Sequence, residues 1–305
     1  MRLPMLMSAA LLLLSTAANA APGDDETIVV TGKAMTRGEL RKSTSRYVYK
    51  ALANTVNGQV ARWNGPICPR IIGLRDASAG LIGSRITRAA TALKIPVAAT
   101  GCKPNIVVFF VPDAAAMMRI IADKRSEYLG EMTSTERRRL IEAKVPVRWF
   151  YNTIPQGADG QVIDAGGGAG GVGALAGLGD LPTLAGGRSS RLDAGAQLNL
   201  LGATVIVDAP LADGTSLEAI AAYTIMVTLA RTRFGIEAPP PDSIMSLFNA
   251  PGPDGRPADL SPMDEAFLFA LYAAPATQWG TAQRAIMVNR IVTSLETGKP
   301  IPARD

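Results

Sequence analysis

The chain has 305 residues, a formal net charge of +5, two cysteines and no histidine. The missing histidine excludes Ser-His-Asp and Cys-His catalysis, histidine general bases and every histidine-ligated zinc site. The charges are spread along the chain without a basic tract, so composition gives no reason to expect a nucleic-acid partner.

The first twenty residues read as a secretory signal peptide. Arg2 supplies the positive start, an apolar stretch runs from Met5 to about Ala18, and Ala18-Asn19-Ala20 is a small-x-small cleavage site with the cut before Ala21. The apolar run of about 14 residues is shorter than the roughly 20 of a spanning helix, and no later segment is long and apolar enough to cross a bilayer. The expected compartment is therefore periplasmic or extracellular. There, Cys68 and Cys102 are expected to form one disulfide, stabilising the fold by roughly 3 to 4 kcal/mol in the chain-entropy view.

Residues 21–44 are polar and mixed and read as a flexible lead-in. Within them, Glu26-Thr27-Ile28-Val29-Val30-Thr31-Gly32 looks like the TonB box of TonB-dependent outer-membrane receptors. Such boxes add a strand to a partner's sheet edge, so the resemblance implies an envelope partner through Glu26, Thr27, Ile28, Val29 and Val30. No barrel follows, and the plainer reading is a short strand or a loose arm.

A single folded domain is expected over 45–300. Val48, Leu52, Val56 and Val60 lie at helical spacing, predicting a helix over 47–63. Residues 67–74 read as a strand holding Cys68, and 79–93 as a helix with Leu81, Ile82, Ile86, Ala89 and Leu93 on one stripe. Residues 105–111 are apolar on both faces and predict a central strand. Asp113 is placed to cap a helix over 113–128. A short helix over 134–144 carries Arg137, Arg138 and Arg139, which point in different directions and read as a solvated face.

A strand follows over 145–153. Residues 157–190 are rich in glycine and read as a mobile loop, because glycine loses the most conformational freedom on ordering. The stretch Gly168-Ala169-Gly170-Gly171-Val172-Gly173 matches G-x-G-x-x-G, but no clear βαβ unit surrounds it and no P-loop lysine follows. Residues 198–208 return to strand character. Thr215 and Glu218 form a capping-box pattern opening a helix to Arg231 that is apolar nearly all round and so belongs in the interior. One or two helical turns are expected over 242–249. Ser261 and Pro262 open a further helix, and a last one runs over 281–295.

One stretch resembles a family. Ser216-Leu217-Glu218 and the helix after it, Asp242-Ser243-Ile244, and Leu260 through Ala266, Phe267 and Leu268 to Leu271-Tyr272 are similar to the C-terminal half of uncharacterised bacterial secreted zincin-like proteins. The resemblance spans residues 216–274 and implies a zincin-like α+β fold. It also implies that the first of these helices carries a His-Glu pair for zinc ligation and water activation. Here those positions hold Ala222 and Tyr223. Zinc catalysis needs three protein ligands and an open position, and an alanine methyl cannot ligate. The implied site is degenerate, with no metal or other cofactor expected. Ala222, Tyr223 and Glu218 remain as candidates lining an inherited cleft, with Tyr223 a core or pocket-wall residue.

Asp208, Asp213 and Glu218 are the carboxylates that stand close together in sequence. A pair about 5 to 9 Å apart can serve as acid and base. Against this, Asp213 lies in an Asp-Gly turn and Glu218 in the capping box. The fold expected is α+β, a mixed or antiparallel sheet packed with helices. The leading functional reading is a non-enzymatic exported protein binding a peptide or protein partner. The alternatives are a carboxylate-based hydrolase and a small-molecule binder.

Overall fold

The computed structural model describes residues 35–53, 58–130, 132–157, 194–249 and 255–302, and the backbone alone of 162–164 and 183–185. The expected signal peptide, the expected lead-in as far as 34 and the TonB-box-like segment lie outside the described residues. The fold is α+β, a mixed sheet packed with helices. Its strands are β1 (Pro69–Ile72), β2 (Ile106–Val111), β3 (Val147–Gln156), β4 (Val162–Asp164), β5 (Thr183–Ala185) and β6 (Gln197–Asp208). They lie in the order β1-β2-β6-β3-β4-β5. β1, β2 and β6 are parallel, and β3 runs antiparallel to β6. The helices are α1 (Arg37–Ala51), α2 (Asp76–Ala92), α3 (Ala114–Lys124), α4 (Ser134–Glu142), α5 (Leu217–Leu229), α6 (Pro262–Ala273) and α7 (Gly280–Thr297). Among the described residues, no helix is long and apolar enough to cross a membrane.

The sheet separates two apolar clusters. Val108, Val205, Val207, Trp149 and Tyr151 face the larger one, with α2 and α5 laid over them and α1, α6 and α7 behind. Phe150 and Ile206 face the smaller one, where Ala114 and Met118 of α3 and Leu140 of α4 close over them. As its sequence predicts, β2 lies centrally between β1 and β6. The disulfide Cys68–Cys102 ties the entry of β1 to the approach to β2, with Cα atoms 6.2 Å apart.

α5 runs through the larger cluster, and every residue from Ala219 to Leu229 is buried. Burying each large side chain here stabilises the fold by about 1.5–3 kcal/mol. Its two threonines satisfy themselves: Thr224 and Thr228 donate to the carbonyls of Ile220 and Thr224, each at 2.7 Å. Its last carbonyls have no partner within the helix and are met by aromatic donors. Trp63 Nε1 donates to Thr228 O at 2.7 Å and Tyr272 Oη to Leu229 O at 2.6 Å. Tyr151 Oη lies 2.7 Å from Val227 O and 2.9 Å from Ala230 O. Buried arginines do the same elsewhere. Arg62 donates to Leu271, Tyr272 and Ala274 at the end of α6, and Arg148 to Leu140, Ala143 and Val145 at the end of α4.

Several boundaries differ from the sequence reading. α1 starts within the expected lead-in, because Thr36 and Glu39 form a reciprocal capping box that opens it at Arg37. The expected helix over 47–63 stops at Ala51. Leu52 bridges Thr232, and Arg62 instead pairs with β6 through Leu198 O and Leu200 N. α3 ends at Lys124, where Arg125 leaves helical geometry, and a 3-10 turn at Ser126–Leu129 completes the stretch. The cap of α5 is Ser216, which accepts from Ala219 N at 3.1 Å. Thr215 therefore lies outside the helix and instead accepts from Arg256. Within the glycine-rich 157–190, the described backbone forms β4 and β5, which pair in parallel. The rest of that segment lies outside the described residues.

Candidate functional site

The helix face on which the resemblance places a site is closed. Ala222 is 0% and Tyr223 6% exposed. The Tyr223 ring is held edge-on by Trp149 at 5.9 Å and Phe248 at 5.2 Å between centroids. Burial pushes its phenol well above the ordinary tyrosine range. The expectation of an inherited cleft along Ala222 and Tyr223 is corrected: this is core, and the aromatic rings that flank Tyr223 fill the space. Glu218 is exposed in the first turn of α5, where its backbone carbonyl receives Arg85 at 3.1 Å.

The three sequence-predicted carboxylates have separate settings. Asp208 is buried and spends both oxygens on backbone donors, Oδ2 accepting from Ala114 N at 3.0 Å and Oδ1 from Leu211 N at 3.2 Å. It fixes the start of α3 and the turn after β6. Asp213 is exposed at the rim of a hollow of about 630 Å³ beyond the carboxyl ends of β1, β2 and β6. Neither Asp208 nor Glu218 lines that hollow. Arg137 folds back on Leu129 O, whereas Arg138 and Arg139 are exposed. Among the described residues, no three acidic or cysteine side chains group so as to hold a metal ion.

A deeply placed carboxylate that the sequence reading passed over is Asp264, at 0% exposure. It accepts from Ser243 Oγ at 2.6 Å, Ile244 N at 2.7 Å, Ser261 Oγ at 2.9 Å and Ser261 N at 3.0 Å, with Tyr47 Oη at 3.4 Å. Burial holds its carboxyl above the usual carboxylate range, opposed by these hydrogen bonds. It joins α6 to the turn at Ile244–Ser246 and to α1, which is a structural duty.

A second opening lies on the other side of the sheet. α3 and α4 cover only part of that face and leave a groove of about 750 Å³. Its floor is Val107 and Phe109 of β2, Gly202 and Thr204 of β6, and Phe150 and Asn152 of β3. Met117 and Ile121 of α3, with Arg125 and Tyr128 beyond it, make one wall. Trp63 to Pro66 and Lys103 to Asn105 make another. Gly202 leaves the floor without a side chain at that point, and a Cβ there would rest in ordinary contact with Asn152 Oδ1 at 3.4 Å. Asn105 and Asn152 are fixed by the backbone, the first through Cys68 N and Pro66 O and the second through Tyr128 O.

One polar group in the lining is not settled. Asn199 is 3% exposed and its amide N–H donates to Gln156 Oε1, yet its Oδ1 is buried without a partner. A β-bulge puts it there. Asn152 pairs with Gly202 and Thr153 with Leu200, so Leu201 is an extra residue in β6. The extra residue reverses the in-out alternation below it. Leu200 consequently joins the larger core, and Asn199 lines the groove. The sequence reading missed this groove, which is assembled from many separate short segments.

Comparison with protein-family models, with curated proteins and with solved structures finds no match to this chain.

Proposed function

We propose that this is an exported, non-enzymatic binding protein on a metal-free zincin-like scaffold, and that it holds a peptide segment in the groove over β2, β6 and β3. The observation that carries the reading is the groove's lining. Among the described residues, it combines an apolar floor with side-chain amides and two cations, Lys103 and Arg125, and contains no histidine, cysteine or carboxylate. Such a surface can bind and orient. Its described residues include no nucleophile with an adjacent base and no acid–base pair. The order β6, α5, 3-10 turn, α6 supports the scaffold reading, because the helix that would carry the zinc motif follows a central strand and lies in the core. Export is supported by the signal-peptide pattern and by the disulfide, a bond that persists in oxidising compartments.

A random nonapeptide library displayed on phage tests this reading. Selection on the wild type, with Thr204→Trp as the counter-selected variant, should enrich peptides that the groove-filled variant does not retain. No enrichment, or enrichment equal on both proteins, would overturn it. A second reading, a small-molecule ligand, is favoured by the volume, which falls within the range of small-molecule sites.

A further inference from the structure

Two features of the groove narrow its occupant, and both presuppose the peptide reading above. The first is Asn199 Oδ1. Buried polar atoms without a partner are few in folded proteins because each forfeits its hydration. Here the bulge at Leu201 turns Asn199 to the groove face, where it is one of the lining residues. An acceptor in that state calls for a donor from outside the chain. The second is charge. Lys103 stands on the segment entering β2 and Arg125 at the end of α3, so the groove carries a cation on each of two walls and no acid among its described lining residues. Among the described residues, the ion-pair partner of Arg125 is the exposed Glu127, at 3.8 Å, a pair that constrains it little.

We infer that the occupant is an extended acidic peptide: one backbone N–H donates to Asn199 Oδ1, apolar side chains rest on Val107, Phe109 and Phe150, and acidic side chains meet Lys103 and Arg125. An extended chain offers an N–H at every residue and sends alternate side chains to opposite sides, which suits a sheet floor flanked by charge.

Nonapeptides selected on the wild type against Thr204→Trp provide the probes. They should alternate apolar and acidic residues and bind more weakly as salt rises. Asn199→Leu should weaken them about tenfold, as expected for one lost hydrogen bond and its desolvated partner, while the thermal midpoint stays level or rises. N-methylation at one backbone position should cost the wild type a similar factor and the variant nothing further, so that the two losses do not add. Lys103→Glu should weaken binding severalfold and supplies a test should Asn199→Leu fail to fold. If no peptide is selected, the peptide reading itself fails. If the selected peptides lack acidic residues, or if Asn199→Leu lowers the midpoint and leaves affinity unchanged, this inference fails and the peptide reading stands.

Discussion

Truncating Tyr223 to alanine separates a packed core from an open cleft. In the structure its ring is 6% exposed and lies edge-on between Trp149 and Phe248. Removing a buried aromatic ring costs about 3–5 kcal/mol through lost transfer energy and the void left behind. Each of the two edge contacts supplies about 0.5–1.5 kcal/mol of that. A loss of this size in a chain of this length lowers the midpoint by about 5–9 °C. Tyr223→Phe keeps both ring contacts and should stay within about 1 kcal/mol. Urea unfolding followed by circular dichroism, with the slope compared between variants, measures the difference. A Tyr223→Ala loss below about 1 kcal/mol would refute the argument, because that is what a side chain on the wall of a water-filled cleft would show.

Three further outcomes follow from named contacts. Asp208→Ala leaves the N–H groups of Ala114 and Leu211 without their acceptor and should cost about 1–3 kcal/mol in chemical unfolding; an unchanged midpoint would mean that the carboxylate is not structural. Reducing the Cys68–Cys102 bond should lower stability by roughly 3–4 kcal/mol, seen as a lower urea midpoint with dithiothreitol than without it. Asp264 has its folded-state pKa raised above the unfolded value. Its contribution is therefore fully present below about pH 3.9 and declines as pH rises through the folded-state value. The advantage of wild type over Asp264→Asn should be greatest near pH 3 and shrink toward neutrality in paired urea titrations. A gap that widens with pH would show that the hydrogen bonds outweigh burial.

Much of the fold was legible because local signals and packing agreed. α5 announces itself by having almost no polar residue, and β2 by being apolar on both faces; each lies centrally. Ser261 and Pro262 mark the start of α6, and Asp113 caps α3 through Ala116 N at 2.8 Å. α1 was read late in the chain because its first turns are polar, its buried positions being only Thr44, Tyr47, Val48 and Ala51. The pair Thr36 and Glu39 was visible in the sequence and was the signal to use. Thr215 and Ser216 both precede α5, and a side chain only one residue away decides the cap. The site was hardest to read. Its floor comes from three strands that meet only on folding, and Asn199 faces it through a bulge at Leu201, whose one local mark is the strand glycine beside it, Gly202. The closed face at Ala222 and Tyr223 is likewise a tertiary fact, since it depends on Trp149 and Phe248 arriving from distant segments.

The central claim is that binding happens over β2, β6 and α3 and not along α5. Hydrogen–deuterium exchange of the protein, with and without a saturating selected nonapeptide, tests it most directly. The account predicts added protection over 103–109, 117–128 and 199–204, with 217–229 unchanged. Protection that falls on 217–229 and 242–249, with none on the groove, would contradict it.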